Sequence, residues 1–264
     1  PPDWKWKGIT KDDQTLPGLL KDADYHTIYV GKAHFGPIGA FGEFPNNFGF
    51  DVNVAGCSWG QPGSYYGEDG FGWIKGNKSR AVPDLEKHHG QDIYLTEALT
   101  REMNAAIADA VKDEKPFIAS MAYYAVNDTF QPNRKYLDHY ADAQVPGPAK
   151  VFATMIESMD TSVGRILDQI EQLGVAEDTL VVFLGDNGSD APLGPDHKVA
   201  SSAPLRGKKG THYEGGMRVP FIAAWAKPDA GNPLQNRLPI AAGMFSREVA
   251  DITDIFPTLL DVAG

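Results

Sequence analysis

Asp186 and Asn187 stand side by side between Gly185 and Gly188, directly after the mostly apolar or β-branched run Thr179-Leu180-Val181-Val182-Phe183-Leu184. A carboxylate and an amide at the carboxyl end of a buried strand offer oxygen donors, which suit a hard cation such as Ca²⁺ or Mg²⁺ better than zinc. Taken alone, Asp-Asn-Gly also fits a plain tight turn. Lys32 and His34 form a second pair within Gly31-Lys32-Ala33-His34-Phe35-Gly36-Pro37. In extended backbone, residues i and i+2 point the same way, so two cationic or proton-donating groups would face one spot; a solvated surface pair is the alternative. The third segment runs from Leu205 to Pro220, where Arg206, Lys208, Lys209, His212 and Arg218 are interleaved with glycines that let backbone come close to a ligand. It lacks the G-x-x-x-x-G-K-[ST] spacing, which disfavours a nucleotide phosphate loop. Cys57 has no paired base nearby and reads as a packing residue, and His88-His89 lacks metal-ligand spacing.

The formal net charge of −11 argues against a general nucleic-acid or anionic-membrane binder, since those need basic surfaces. An anionic small substrate then requires a local basic pocket, and residues 205–220 supply one. With 264 residues, 42% hydrophobic and 22% charged, the chain can form one large domain or most of one. No run approaches the length of a membrane helix, and no signal-peptide pattern opens the chain. It begins Pro-Pro-Asp without an initiator Met and reads as a fragment, with any export signal expected upstream. A single cysteine rules out an internal disulfide.

Positioning these residues requires an alternation of helices and strands. Residues 15–25 predict a short helix leading into the strand 27–30, which ends at the Lys32 segment. Residues 36–90 are rich in Gly, Pro, Asn and aromatics without periodicity, the pattern of a long irregular excursion that walls a substrate. An apolar stripe of Leu95, Leu99, Met103, Ala106, Ile107 and Ala110 predicts a helix over 92–113. A buried strand follows over 116–126 and stops at Asn127-Asp128. The 3–4 spacing from Phe152 to Leu173 predicts a helix over 150–173, with Gly174 as its cap. Strand, helix, strand then predicts a right-handed crossover, with 116–126 and 179–184 parallel in one sheet. Residues 221–226 predict a further strand and 251–263 a terminal helix with Pro257 near its first turn. One mostly parallel sheet would bring Lys32, His34, Asn127 and Asp186 to the same rim, where open α/β sheets bind ligands.

At these residues the chain resembles the sulfatase family. Gly31-Lys32-Ala33-His34-Phe35-Gly36 is similar to G-K-W-H-L-G, and Leu184-Gly185-Asp186-Asn187-Gly188 is similar to the S-D-N-G metal segment. Lys209-Gly210-Thr211-His212-Tyr213-Glu214-Gly215-Gly216-Met217-Arg218-Val219-Pro220 resembles K-G-T-x-Y-E-G-G-x-R-V-P, and residues 254–264 resemble D-I-F-P-T-L-L-D-L-A-G. The four segments occur in family order and cover nearly the whole chain. The resemblance implies an alkaline-phosphatase-like α/β/α sandwich with a mostly parallel central sheet, and hydrolysis of sulfate esters of a small molecule or glycan by metal-assisted attack of a formylglycine. It implies that Asp186 and Asn187 hold Ca²⁺, or Mg²⁺, and that Lys32, His34 and Lys209 contact the sulfate. Such electrostatic groups stabilise charge on the transferring group, and His34 could protonate the leaving oxygen. It also implies a periplasmic or secreted enzyme.

Two departures stand out. The cysteine segment Cys57-Ser58-Trp59-Gly60-Gln61 does not match C/S-x-P/A-x-R, the source of formylglycine. Nor is there an early Asp-Asp pair of metal ligands. Both are expected upstream, so residues 1–264 read as a partial catalytic domain, truncated at the N-terminus and before the C-terminal subdomain, and inactive alone. In Tyr124-Ala125-Val126-Asn127-Asp128-Thr129, Asn127 takes the place of a sulfate-site His of A-x-H-x-P; an amide can hydrogen-bond an oxyanion but cannot exchange a proton near neutral pH. Phosphoester or phosphonoester hydrolysis on the same fold, and a non-catalytic relative that binds sulfated glycans, are the alternatives.

Overall fold

The computed structural model describes residues 6–189 and 201–264; residues 190–200, most of the polar loop expected after the Asp-Asn turn, lie outside the described residues. In chain order the principal elements are α1 (Leu16–Asp22), β1 (His26–Gly31), β2 (Val52–Val54), α2 (Leu95–Lys112), β3 (Phe117–Ala122) and α3 (Gly147–Gln172). They continue with β4 (Leu180–Leu184), α4 (Glu214–Met217), β5 (Phe221–Trp225), α5 (Pro233–Arg237) and α6 (Ile255–Ala263). Two units divide them: Pro1–Thr129 with Phe245–Gly264, and Phe130–Met244.

The first unit is built on a parallel sheet of order β2-β1-β3. Its β1 is buried without a break from Thr27 to Gly31, and Ile28 and Val30 are fully buried. The predicted stripe of α2 is buried throughout, at Leu95, Leu99, Met103, Ala106, Ile107 and Ala110, and the helix packs on β1 and β3. Helix α1 opens on Thr15, whose hydroxyl accepts the Gly18 N–H at 3.2 Å, with Pro17 in its first turn where no N–H is needed. Residues 36–90 form mostly short 3₁₀ turns, as their composition predicts, but Val52–Val54 pairs with β1, a strand too short to leave a period in the sequence. Phe48 and Phe50 beside it fold back onto Tyr29. At the end of β1, Gly31 faces Ala122 at φ +109, and a Cβ there would lie 1.9 Å from the Ala122 carbonyl oxygen. Only glycine fits this crossing-over point, which delivers the chain to Lys32.

In the second unit, α3 ends as predicted. The Gly174 N–H bonds the Glu171 carbonyl at 3.0 Å and the Val175 N–H bonds that of Ile170 at 3.3 Å, around Gly174 at φ +73. The ladder of β4 differs from expectation. Among the described residues β4 pairs with β5, antiparallel, and not with β3. A strand-helix-strand pattern fixes the alternation of elements but not which strand becomes the neighbour. The terminal helix begins later than predicted, because Asp251 caps a 3₁₀ turn over Ile252–Asp254 first.

Candidate active site

Lys32, His34 and Asn127 are brought together in the first unit, at the carboxyl ends of β1 and β3. The ladder persists to Lys32, whose N–H donates to the Ala122 carbonyl at 2.8 Å. Extended backbone stops there, and His34 adopts φ +61 with its N–H on the Cys57 carbonyl at 2.9 Å. The two side chains therefore do not converge by strand alternation. They converge because both approach Gly60. A Cβ on Gly60 would meet His34 Nδ1 at 3.1 Å and Lys32 Cε at 3.4 Å. His34 is exposed and Lys32 half-buried. Burial of the imidazole's inner side, and then the Lys32 charge, hold the His34 pKa below the ordinary histidine value.

The segment 55–60 is pinned from beneath. The buried Tyr124 hydroxyl donates to the Ala55 carbonyl at 2.9 Å and lies 3.8 Å from Cys57 Sγ. Tyr65, also buried, donates to the carbonyls of Tyr124 at 2.8 Å and Asn127 at 3.2 Å. Burial pushes the Cys57 thiol up, so Cys57 packs rather than attacks, in keeping with the sequence reading. Asn127 is itself buried. Its Nδ2 donates to the Gly60 carbonyl at 3.0 Å, and its Oδ1 accepts the Asp128 N–H at 2.9 Å. Most of its amide is therefore spent on fixing the loop that carries Gly60. The spacing A-x-H-x-P places the His two residues before proline, which with Pro132 is Phe130, tilted against Phe152 at 6.1 Å. Asn127 keeps the A-x-H spacing from Ala125, with Thr129 where the proline would stand. The Gly60 contact was missed by sequence reasoning, and only its isolated Trp-Gly dipeptide hinted at a close approach.

Asp186, Asn187 and Lys209 belong to the second unit. After β4, the Gly185 N–H bonds the Pro220 carbonyl at 3.1 Å and the Gly188 N–H bonds that of Gly216 at 2.9 Å. A Cβ on Gly188 would sit 1.8 Å from the Gly215 carbonyl oxygen, so glycine is required for the turn to close on the basic loop. The Lys209 N–H donates to the Ser189 carbonyl at 2.9 Å, which ties that lysine's backbone to the turn. The basic loop does not act as one pocket. Arg206 stacks on the Tyr213 ring at 3.8 Å, Arg218 pairs with Glu214 at 3.5 Å, and Lys208 and His212 are exposed, whereas Lys209 is half-buried. Asp186 is exposed and Asn187 half-buried, and among the described residues neither side chain has a hydrogen-bond or ion-pair partner. Two unspent oxygen donors on one tight turn fit part of a Ca²⁺ or Mg²⁺ shell, which takes six to about eight oxygens. Among the described residues no group of three or more His, Cys, Asp or Glu completes it.

The fold defines an alkaline-phosphatase-like α/β protein. Its likeness to a crystal structure of Ps i-CgsB in complex with k-i-k-neocarrahexaose has a TM-score of 0.75 at 25% identity, covering 100% of this chain and 56% of that one. A crystal structure of PsFucS1 sulfatase from Pseudoalteromonas sp. gives a TM-score of 0.69 at 25% identity, over 98% of this chain and 52% of that one. The sulfatase family model matches residues 2–264, and the chain belongs to the sulfatase family. A sulfatase of Formosa agariphila is 30% identical over 97% of this chain and 50% of its own length. N-acetylgalactosamine-6-sulfatase of Mus musculus is 29% identical over 97% of this chain and 46% of its own length. The chain thus spans about half the length of these curated relatives. Membership implies a metal ion and a formylglycine. Among the described residues, no helix is long and apolar enough to cross a membrane.

Proposed function

We propose that residues 1–264 form part of the catalytic domain of a sulfuric ester hydrolase that acts on a sulfated small molecule or glycan. The observation that carries this reading is the meeting of Lys32 and His34 at Gly60, an ammonium and a proton-transferring imidazole at one spot on the ligand-binding rim of a parallel sheet. Lys32 offsets the charge that develops on the transferring sulfate as the ester bond breaks, and family resemblance assigns the same role to Lys209. His34 donates a proton to the departing alcohol or phenol oxygen, so that it leaves neutral. Asn127 serves chiefly to hold the Gly60 loop, and offers the sulfate one remaining amide hydrogen.

Asp186 and Asn187 would hold Ca²⁺ or Mg²⁺, which when bound withdraws charge from the sulfate, while formylglycine supplies the nucleophile. The formylglycine is assigned to another part of the full-length protein, because Cys57-Ser58-Trp59-Gly60-Gln61 does not match the segment that forms it, and family likeness favours a protein of the periplasm or the outside of the cell. A glycan substrate is favoured by the neighbour solved with k-i-k-neocarrahexaose and by the N-acetylgalactosamine-6-sulfatase relatives. The test is sulfate release by the full-length protein from sulfated sugars and aryl sulfates, beside the matching phosphate esters. Release of phosphate with none of sulfate would overturn the reading.

A further inference from the structure

Trp6 lies against His34, with ring centroids 5.0 Å apart and planes at 68°. Backbone contacts fix its segment there. The Ile9 N–H donates to the Phe35 carbonyl at 2.9 Å, and a Cβ on Gly8 would lie 2.3 Å from that carbonyl oxygen and 2.4 Å from Gly36 Cα. Gly42 closes the other side, where a Cβ would stand 3.0 Å from Ile9 N. Despite this anchoring, Trp6 remains 43% exposed, and His34 beside it is exposed as well. A molecule whose leaving oxygen meets His34 therefore has a broad apolar ring face beside it.

We propose that Trp6 is a specificity-determining residue, a stacking wall for the ring that bears the sulfate, and that it selects sulfated pyranosides over acyclic alkyl sulfates. The C–H face of a pyranose carries partial positive charge and is rigid, so it covers the electron-rich indole face at little entropic cost. A flexible alkyl chain covers less of it and loses more freedom. This inference rests on the sulfatase reading and on His34 facing the leaving oxygen.

The test compares Trp6→Ala and Trp6→Phe with wild type in the full-length protein, resolving kcat and KM on a sulfated pyranoside and on an acyclic alkyl sulfate. Trp6→Ala should raise KM for the pyranoside about tenfold with kcat within about twofold, Trp6→Phe should keep most of the affinity, and the alkyl sulfate should respond to neither. Equal losses on both substrates, or one pH-profile shift common to both, would overturn the proposal by reducing Trp6 to a cover for His34. Should Trp6→Ala fail to fold, Trp6→Leu replaces it, since it keeps apolar bulk without an aromatic face; an unchanged pyranoside KM there overturns stacking. Wild-type protein that releases sulfate from neither substrate would overturn the sulfatase reading and this inference with it, whereas intact wild-type turnover with an unchanged Trp6→Ala KM overturns the stacking alone.

Discussion

Gly60→Ala adds one methyl group at the point where Lys32 and His34 meet. The new Cβ would stand 3.1 Å from His34 Nδ1, 3.4 Å from its Cε1 and 3.4 Å from Lys32 Cε, where ordinary contact begins at 3.4 Å. The imidazole must give by a few tenths of an ångström, and the lysine hardly at all. The backbone accepts alanine, because Gly60 does not occupy the left-handed region, and its carbonyl still receives the Asn127 amide. Losing a glycine also restricts the unfolded chain, which favours the folded state by about 0.4–1 kcal/mol. Activity should move the other way. A misplacement of about 1 Å costs about 10²-fold where groups must be well positioned, so a few tenths should lower kcat/KM by about three- to tenfold. The assay pairs sulfate-release kinetics with thermal unfolding of the full-length protein, and the expected result is lower kcat/KM with an unchanged or slightly raised Tm. Unchanged kcat/KM would refute the convergence at Gly60. So would a loss of activity that tracks a lower Tm, since Gly60 would then be a structural turn and not a contact for working groups.

Lys209→Ala should lower kcat/KM by about 10²-fold or more, the scale of removing one preorganised group from a transition state. Exposed Lys208 is the control, and its replacement by Ala should cost less than about 1 kcal/mol; comparable losses would mean that general positive potential is what matters. Burial first and Lys32 second lower the His34 pKa, so the proton it gives to the leaving oxygen is lost at lower pH than from a free imidazole. Protonated His34 is disfavoured in the folded state, so this group costs no stability above the ordinary histidine pKa and costs increasingly as pH falls through its lowered value. Lys32→Met removes the smaller cause, and the His34 midpoint followed by NMR should rise yet stay below the ordinary value; an unmoved midpoint rejects the Lys32 contribution. Chelation should abolish activity and added Ca²⁺ or Mg²⁺ restore it, while Asp186→Ala should weaken Ca²⁺ binding measured by calorimetry. Full activity after both treatments would remove the metal from this turn.

The sequence by itself determines the elements whose signals are local. The 3–4 stripe of α3, its Gly174 cap, the buried run of β1 and the Asp186-Asn187 turn after β4 are each written within one or two turns of chain, where side-chain periodicity and backbone chemistry decide the conformation. The residue types of the candidate site were legible for the same reason, since Lys32, His34, Lys209, Asp186 and Asn187 fall in compact segments. Only the tertiary structure decides what meets what. The strand Val52–Val54 exists because β1 offers it a parallel edge, and β4 takes β5 as its partner through a ladder that no crossover pattern specifies. Lys209 is separated from Lys208 by burial and by its bond to Ser189, although the two carry the same charge. Asn127 reads locally as a polar strand end, yet its amide reaches the Gly60 carbonyl across 67 residues. A hydrogen bond to a distant carbonyl depends on packing the whole sheet in register, and such a contact leaves no period, composition or spacing in the chain that forms it.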